Sequence, residues 1–116
     1  MNAILEAYLA CALWSSCDDD DVPFDQDYAV CDIAPESLKV AGEICQDFCE
    51  TAKELLEKSG LSEEQIGHDL WLTKNGHGAG FWDRGLGKIG EELTAMSKPY
   101  GEDYMYRGDD GKVYIG

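Results

Sequence analysis

The sequence predicts an α+β domain in which two N-terminal helices and a third helix pack on a small antiparallel sheet made of two hairpins. Three observations predict this class. Apolar residues recur at helical spacing in the first half, two later segments carry hairpin signals, and another helical stripe separates those segments. The length of 116 residues and the 44% hydrophobic content fit one α+β domain over residues 1–116.

The first two helices are predicted over residues 2–16 and 35–59. The run Asp18 to Asp21 ends the first, because successive aspartates repel each other and have poor helix propensity. The second begins at Pro35, whose missing N–H costs nothing in a first turn, and ends at Gly60, a typical left-handed cap. Its apolar seam has alternating intervals of three and four residues and consists of Leu38, Ala41, Cys45, Phe48, Ala52 and Leu55.

Residues 67–85, which hold both histidines and two of the three tryptophans, are predicted to form the first hairpin. Asn75-Gly76 lies between two aromatic segments and is typical of a two-residue turn, because such a turn needs positive φ at both positions. In that register His68 lies opposite Asp83. The glycine-rich stretch would then be chiefly a folding element.

The remaining elements are shorter. Residues Ser62 to Gln65 match a capping box and predict a short helical turn that ends at Gly67. A third helix is predicted over residues 85–98 and a second hairpin over residues 103–115. The loop at residues 108–111 lacks the alternating aspartates and the terminal glutamate of a calcium loop, so a plain turn is favoured.

The segment Gly67 to Gly87, GHDLWLTKNGHGAGFWDRGLG, resembles a core shared by small, functionally unassigned proteins of bacteriophages and prophages, GHDxWLTxNGHGAGFWDRGLG. The likeness covers roughly the second half of the chain and continues into residues 108–114. Members often have Phe at the position of Leu70 and Arg at that of Lys74, both mild changes. The resemblance implies a phage gene expressed in the host cytoplasm, and it assigns no activity and no site residue.

Negative charge is the most unusual bulk property. Residues 1–66 hold 16 acids and 3 bases, residues 67–116 hold 8 acids and 6 bases, and the net charge is −15 at pH 7. Such a field repels nucleic acid and membrane surfaces and attracts basic protein surfaces. We therefore expect a basic host protein, one that binds nucleic acid, as the partner, with no direct contact to nucleic acid or membrane.

The acids of the second predicted helix occupy the face opposite its apolar seam. Helical geometry puts one acid about every 6 Å on average along that face. Lys39, Lys53 and Lys58 offset some of this charge at the flank of the face. A solvated helix face is the more common explanation of such acids, but it normally intersperses both signs. The predicted partner-binding residues are Asp18, Asp19, Asp20, Asp21, Glu36, Glu43, Asp47, Glu50, Glu54 and Glu57.

These observations predict a phage-encoded acidic inhibitor of a host nucleic-acid-binding defence protein, of the anti-CRISPR or antirestriction type, that acts as a nucleic-acid mimic. A non-catalytic interaction protein that associates through Trp14 is one alternative. A small metal-dependent hydrolase centred on His68, His77 and Asp83 is another. The sequence favours a function without catalysis and assigns no catalytic residue. The secondary candidate site comprises His68, Asp69, Asn75, His77, Asp83 and Arg84.

The five cysteines favour free thiols in a reducing compartment, because their number is odd and no export signal is evident. Cys45 and Cys49, four residues apart on a predicted helix, could share a metal ion. No further ligands accompany them in the sequence, so buried apolar thiols are the preferred interpretation. We therefore predict no cofactor and no metal.

Overall fold

The computed structural model describes residues 2–116 and, over that range, contains five α-helices and a two-stranded antiparallel sheet. The predicted α+β class is therefore correct, although the chain has more helix and less sheet than expected. None of the helices in this range is both long and apolar enough to cross a membrane. The elements are α1 (Ala3–Ser15), α2 (Pro35–Thr51), α3 (Lys53–Ser59), α4 (Glu63–Lys74), α5 (Lys88–Ser97), β1 (Met105–Arg107) and β2 (Val113–Ile115).

Helix α1 lies within one residue of its predicted bounds at each end. Its N-cap is Asn2, whose side-chain oxygen accepts a hydrogen bond from the Leu5 N–H at 2.8 Å. The aspartate run after it folds into a turn in which the Asp18 carboxylate accepts hydrogen bonds from the backbone N–H groups of Asp20 and Val22. Helix α1 makes its most extensive contacts with α4.

The second predicted helix is present but interrupted. Ala52, with φ −97° and ψ 12°, separates α2 from α3, and Gly60 ends α3 in a left-handed conformation with φ 70°. The middle of the predicted seam, Ala41, Cys45 and Phe48, is buried. The apolar face of α2 therefore packs on the core, as its heptad spacing predicts.

The first predicted hairpin is wrong, because its first half is helix α4. Asn75 and Gly76 end this helix instead of turning a hairpin. The Gly76 N–H bonds the Thr73 carbonyl at 3.2 Å and the His77 N–H bonds the Leu72 carbonyl at 3.0 Å, with Gly76 at φ 68°. This pair of bonds is a Schellman cap, which satisfies carbonyls at the helix end.

The predicted stop at Gly67 is also wrong, because this glycine lies inside α4. Half of the predicted capping box is present: the Ser62 hydroxyl accepts a hydrogen bond from the Gln65 N–H at 3.1 Å, whereas the Gln65 side chain donates to Asp69. Gly67 is tolerated because α1 crosses α4 at this point. A Cβ on Gly67 would overlap the Ile4 carbonyl oxygen and lie 2.9 Å from the Tyr8 backbone nitrogen.

The later elements agree better with the sequence. After a one-turn helix at Phe81–Asp83, the predicted third helix is present as α5. The second predicted hairpin is present with Tyr106 opposite Tyr114. Its buried side carries Met105 and Val113, and it is the whole sheet of residues 2–116.

One apolar core joins the helices to the hairpin. At its centre Trp71 of α4 meets Tyr8 of α1 edge to face, with ring centroids 5.3 Å apart. Phe48 of α2 stacks on Phe81 at 5.6 Å. Helix α4 is thus an internal element, and α2 presents its other face to solvent.

Candidate functional site

The acidic ridge is the exposed face of α2 and α3. Its members all lie on the solvent side, as their spacing predicts, although the break at Ala52 divides them between two helices. The opposite face, with Ala41 and Phe48, is buried, so the core fixes which way the acids point. The ridge comprises Glu36, Glu43, Asp47, Glu50, Glu54 and Glu57.

The ridge carries negative charge without paired cations. The ion pairs found among residues 2–116 are Lys74–Asp103 and Arg84–Asp69, and neither includes a ridge acid. Asp47 accepts a hydrogen bond from the Tyr100 hydroxyl at 2.6 Å. Burial and this hydrogen bond raise the pKa of Tyr100, so the hydroxyl stays a neutral donor. The ridge acids thus make no direct ion pair within residues 2–116, although the exposed Lys39, Lys53 and Lys58 of the same helices offset part of their charge.

The structure places the four aspartates of the predicted partner-binding set at a different location. Asp18, Asp19 and Asp20 line a cavity of about 380 Å³ together with Arg107 and Asp109, and no residue of α2 or α3 lines it. Asp21 is exposed in the same turn. The predicted acidic surface is therefore divided into the ridge and this aspartate turn beside the sheet.

Asp69 and Arg84 of the secondary candidate site form a buried ion pair. The Arg84 Nε donates to both carboxylate oxygens of Asp69, at 3.0 and 3.2 Å, and Nη2 donates to Oδ1 at 2.7 Å. The Gln65 amide adds a bond at 2.8 Å. The hydrogen bonds to Asp69, together with the charges of Asp69 and Asp83, raise the pKa of the Arg84 guanidinium. A carboxylate so fully satisfied holds α4 to the following loop and is poorly placed for catalysis.

The two histidines line different cavities. His68 lies on an open surface beside Trp14, with ring centroids 5.9 Å apart, whereas His77 lines a cavity of about 300 Å³ next to Asn75. Asp83 is exposed, and the hairpin that would have placed it opposite His68 is absent. Over residues 2–116 no three His, Cys, Asp or Glu side chains form a group that could hold a metal ion. The geometry therefore gives no support to the hydrolase alternative.

Asn75 connects the end of α4 to the start of the sheet. Its side chain donates to the Trp71 carbonyl at 2.9 Å and accepts from the Asp103 N–H at 2.7 Å. Next to it, the fully buried Lys74 side chain pairs with Asp103 at 2.7 Å and lies 5.5 Å from the Trp71 ring centroid. Lys74 and Asp103 are not among the candidate residues predicted from the sequence, in which the basic residue beside the Asn-Gly pair is a local signal.

The cysteines divide by burial. Cys11 and Cys45 are buried, Cys49 is half-buried, and Cys17 and Cys31 are exposed. Burial raises the pKa of Cys11 and of Cys45 to about 12, and it raises the pKa of Cys49 as well. Because the thiolate is the reactive form, the buried thiols are chemically inert in the folded protein.

We expect a thiol-reactive chromogenic reagent at about pH 8, near the ordinary thiol pKa, to modify Cys17 and Cys31 rapidly in the native protein. Cys11 and Cys45 should react only after unfolding in denaturant. A variant with serine at positions 17 and 31 is the control and should lose the rapid phase. Equal rates for Cys45 and Cys31 would contradict the burial described above.

The chain matches no family model, no curated protein and no solved structure.

Proposed function

We propose that this protein is a phage-encoded inhibitor that acts in the host cytoplasm on a nucleic-acid-binding defence protein of the CRISPR or restriction type. The acidic ridge would occupy the basic groove of that protein in place of nucleic acid. One observation carries the proposal: the ridge acids are exposed on one face of α2 and α3, and none forms an ion pair within residues 2–116.

Helical support makes the ridge suitable as a mimic of a nucleic-acid backbone. Helix geometry gives residues 36–57 a length of about 33 Å, with one acid about every 6 Å on average, roughly twice the ~3.4 Å charge spacing of one nucleic-acid strand. The apolar faces of α2 and α3 are anchored in the core, so little conformational entropy is lost when a partner binds. Electrostatic steering would make the association fast and sensitive to salt.

Capture from nuclease-treated host lysate tests the proposal. The immobilised protein should retain a basic protein at ~0.1 M salt and release it at ~1 M, where the screening length falls from about 10 Å to about 3 Å. Excess duplex DNA or RNA should displace that protein. Reversing Glu43, Glu50 and Glu54 to lysine should weaken the binding at least about tenfold, because three attractive charge pairs become repulsive.

The matched control reverses three exposed acids outside the ridge, Glu64, Glu91 and Glu92, for the same change in net charge. This control should bind nearly as well as the wild type. Inhibition of the captured defence system in host cells, measured as the plating efficiency of a phage that the system restricts, should follow the same order. Equal weakening by both triple variants, unchanged binding by the ridge variant, or a captured protein that nucleic acid does not displace would refute the mimic.

A further inference from the structure

The hydrogen-bond register shows which backbone groups of β1 point away from β2. Tyr104 and Gly116 exchange two backbone hydrogen bonds, at 3.1 and 2.9 Å, and the Gly108 N–H bonds the Lys112 carbonyl at 2.8 Å. Hydrogen-bonded pairs alternate along an antiparallel ladder. The N–H and C=O groups of Met105 and Arg107 therefore lie on the outer edge of β1.

The two edges of the sheet differ in how they are covered. On β2, the Val113 carbonyl accepts a hydrogen bond from the Ala34 N–H at 2.8 Å, and the Ile115 N–H donates to the Ser37 hydroxyl at 3.0 Å. On β1, no residue between 2 and 116 forms a hydrogen bond with the backbone of Met105 or Arg107. The edge of β1 is thus open, and an open edge is a template for another strand.

Two cavities lie along this open edge. The first, of about 300 Å³, is lined by Ser15 to Cys17 on one side and by Tyr104 and Met105 on the other. The second, of about 380 Å³, is lined by Asp18 to Asp20 on one side and by Arg107 and Gly108 on the other. The two walls therefore run in the same chain direction. We call the space between residues 15–20 and β1 the edge groove.

Acids outnumber bases around the edge groove. Glu102 and Asp103 line one end, and Asp109 with the aspartate turn lines the other, whereas Arg107 is the lining residue with a fixed positive charge. Lys74 neutralises Asp103 alone. Positive charge on a segment would therefore favour its binding in the groove.

Two exposed aromatic rings lie on the solvent side of the sheet, and Tyr104 lines the groove. Tyr104, directly before β1, and Tyr106, within it, are two residues apart, so they lie on the same face, and they are 70% and 51% exposed. Tyr106 stacks on Tyr114 with centroids 5.6 Å apart and an interplanar angle of 14°, which restricts the motion of its ring. Ring faces in this position attract guanidinium groups, which stack on aromatic faces better than ammonium groups do.

We propose that the open edge of β1 binds an extended, arginine-rich segment of a partner protein. The segment adds a third strand that pairs with the backbone of Met105 and Arg107, and alternate arginines lie over Tyr104 and Tyr106. This surface is distinct from the acidic ridge, and the proposal does not depend on the inhibitor function. A second copy of the chain is a poor occupant, because pairing two β1 edges would bring like charges together.

Amide hydrogen exchange of the full-length protein, measured by NMR, tests the added strand. The probe is a short synthetic peptide of alternating arginine and threonine. In the free protein, the amides of Tyr106 and Gly108 should exchange slowly, since both lie in the ladder, and the Arg107 amide should exchange fast. Saturating peptide should slow the Arg107 amide at least tenfold and leave Tyr106 and Gly108 unchanged.

Two controls define the binding mode. Two further peptides carry N-methyl groups at alternate backbone amides, one at the odd positions and the other at the even positions. The peptide whose methylated amides face β1 should no longer slow exchange of the Arg107 amide. Tyr106→Thr, which keeps a strand-forming residue, should weaken the wild-type peptide about two- to fivefold, while the ridge variant Glu43→Lys/Glu50→Lys/Glu54→Lys should retain at least half of the affinity.

Three outcomes would overturn the proposal. The peptide could bind without slowing the Arg107 amide, or both N-methylated peptides could bind as well as the parent. Alternatively, exchange of the Arg107 amide could become slower as protein concentration rises, without any peptide. That result would mean that a second copy of the chain occupies the edge. Because the ridge variant is measured separately, a failure at the edge is distinguishable from a failure of the inhibitor function.

Discussion

The substitution Gly67→Ala is expected to lower the free energy of unfolding by about 2–3 kcal/mol, since overpacking of this kind costs about 1–3 kcal/mol or more. The added Cβ would overlap the Ile4 carbonyl oxygen and lie 2.9 Å from the Ala7 Cβ and the Tyr8 nitrogen. These are mostly backbone atoms of α1, so no side chain can rotate out of the way. Helices α1 and α4 would have to move apart and loosen the core around Trp71.

The sign of this effect makes it a sharp test. Helix propensity alone predicts that alanine stabilises a helix interior by about 1 kcal/mol relative to glycine. Gly42→Ala in α2 is the matched control, because its Cβ would meet only the Leu5 Cδ2 at an ordinary 3.7 Å. Urea unfolding should show Gly42→Ala neutral or slightly stabilised and Gly67→Ala destabilised. Parallel behaviour of the two variants would mean that α1 and α4 do not cross closely at Gly67.

The sequence predicted the elements that present one face to the core and one to water. Helices α2 and α5 and the last hairpin fall in this group, and their apolar spacing was visible without tertiary information. Helix α1 is apolar almost all round, and the aspartate run after it marked its end. Helix α4 differs because residues 69–74 are buried on every side. A helix without a polar face has no amphipathic signal, so its hydrophobic pattern could not distinguish it from buried strand.

The Asn75-Gly76 pair shows a second physical reason for the error. A type I′ hairpin turn needs positive φ at both residues of the pair, whereas a helix C-cap needs it only at the residue after the last turn. Gly76 at φ 68° suits either, and Asn75 at φ −97° fits only the cap. The capping box at Ser62 indicated a helix, but Gly67 was interpreted as its end. Only the crossing of α1 explains that glycine, and such a crossing is not encoded in the local sequence.

The candidate surfaces differ in how far sequence could predict them. The exposed positions of the ridge followed from the spacing of acids on α2. The absence of ion pairs on the ridge and the open edge of β1 could not be predicted in this way, because both depend on which distant residues meet. The Lys74 ammonium pairs with Asp103 and not with a ridge acid, and Ala34 bonds Val113 of β2 and not β1. A charge pattern in the sequence therefore predicts which side of a helix faces a partner. Which of those charges and backbone groups remain unpaired is known only from the folded structure.

Replacing Arg84 with leucine is expected to lower the free energy of unfolding by about 3 kcal/mol, the lower end of the range for breaking a buried ion pair. The Asp69 side chain has 0% exposure, so the substitution leaves a buried carboxylate with only the Gln65 amide as a partner. The lower end applies because Arg84 itself is 29% exposed, and part of its charge was already solvated. Denaturant unfolding near neutral pH measures the loss.

The double variant Asp69→Leu/Arg84→Leu separates the charge effect from the loss of packing. Removing both members leaves no unpaired charge in the core, so the double variant should be more stable than Arg84→Leu alone, and the cycle should show a coupling of about 1–3 kcal/mol. If the double variant binds the partner as the wild type does, Asp69 and Arg84 act in folding alone. If Arg84→Leu leaves stability within about 0.5 kcal/mol, as an ordinary surface substitution does, the pair is not a structural tie. The contact between the buried Asp69 carboxylate and the Arg84 guanidinium would then require a functional explanation separate from that of the acidic ridge.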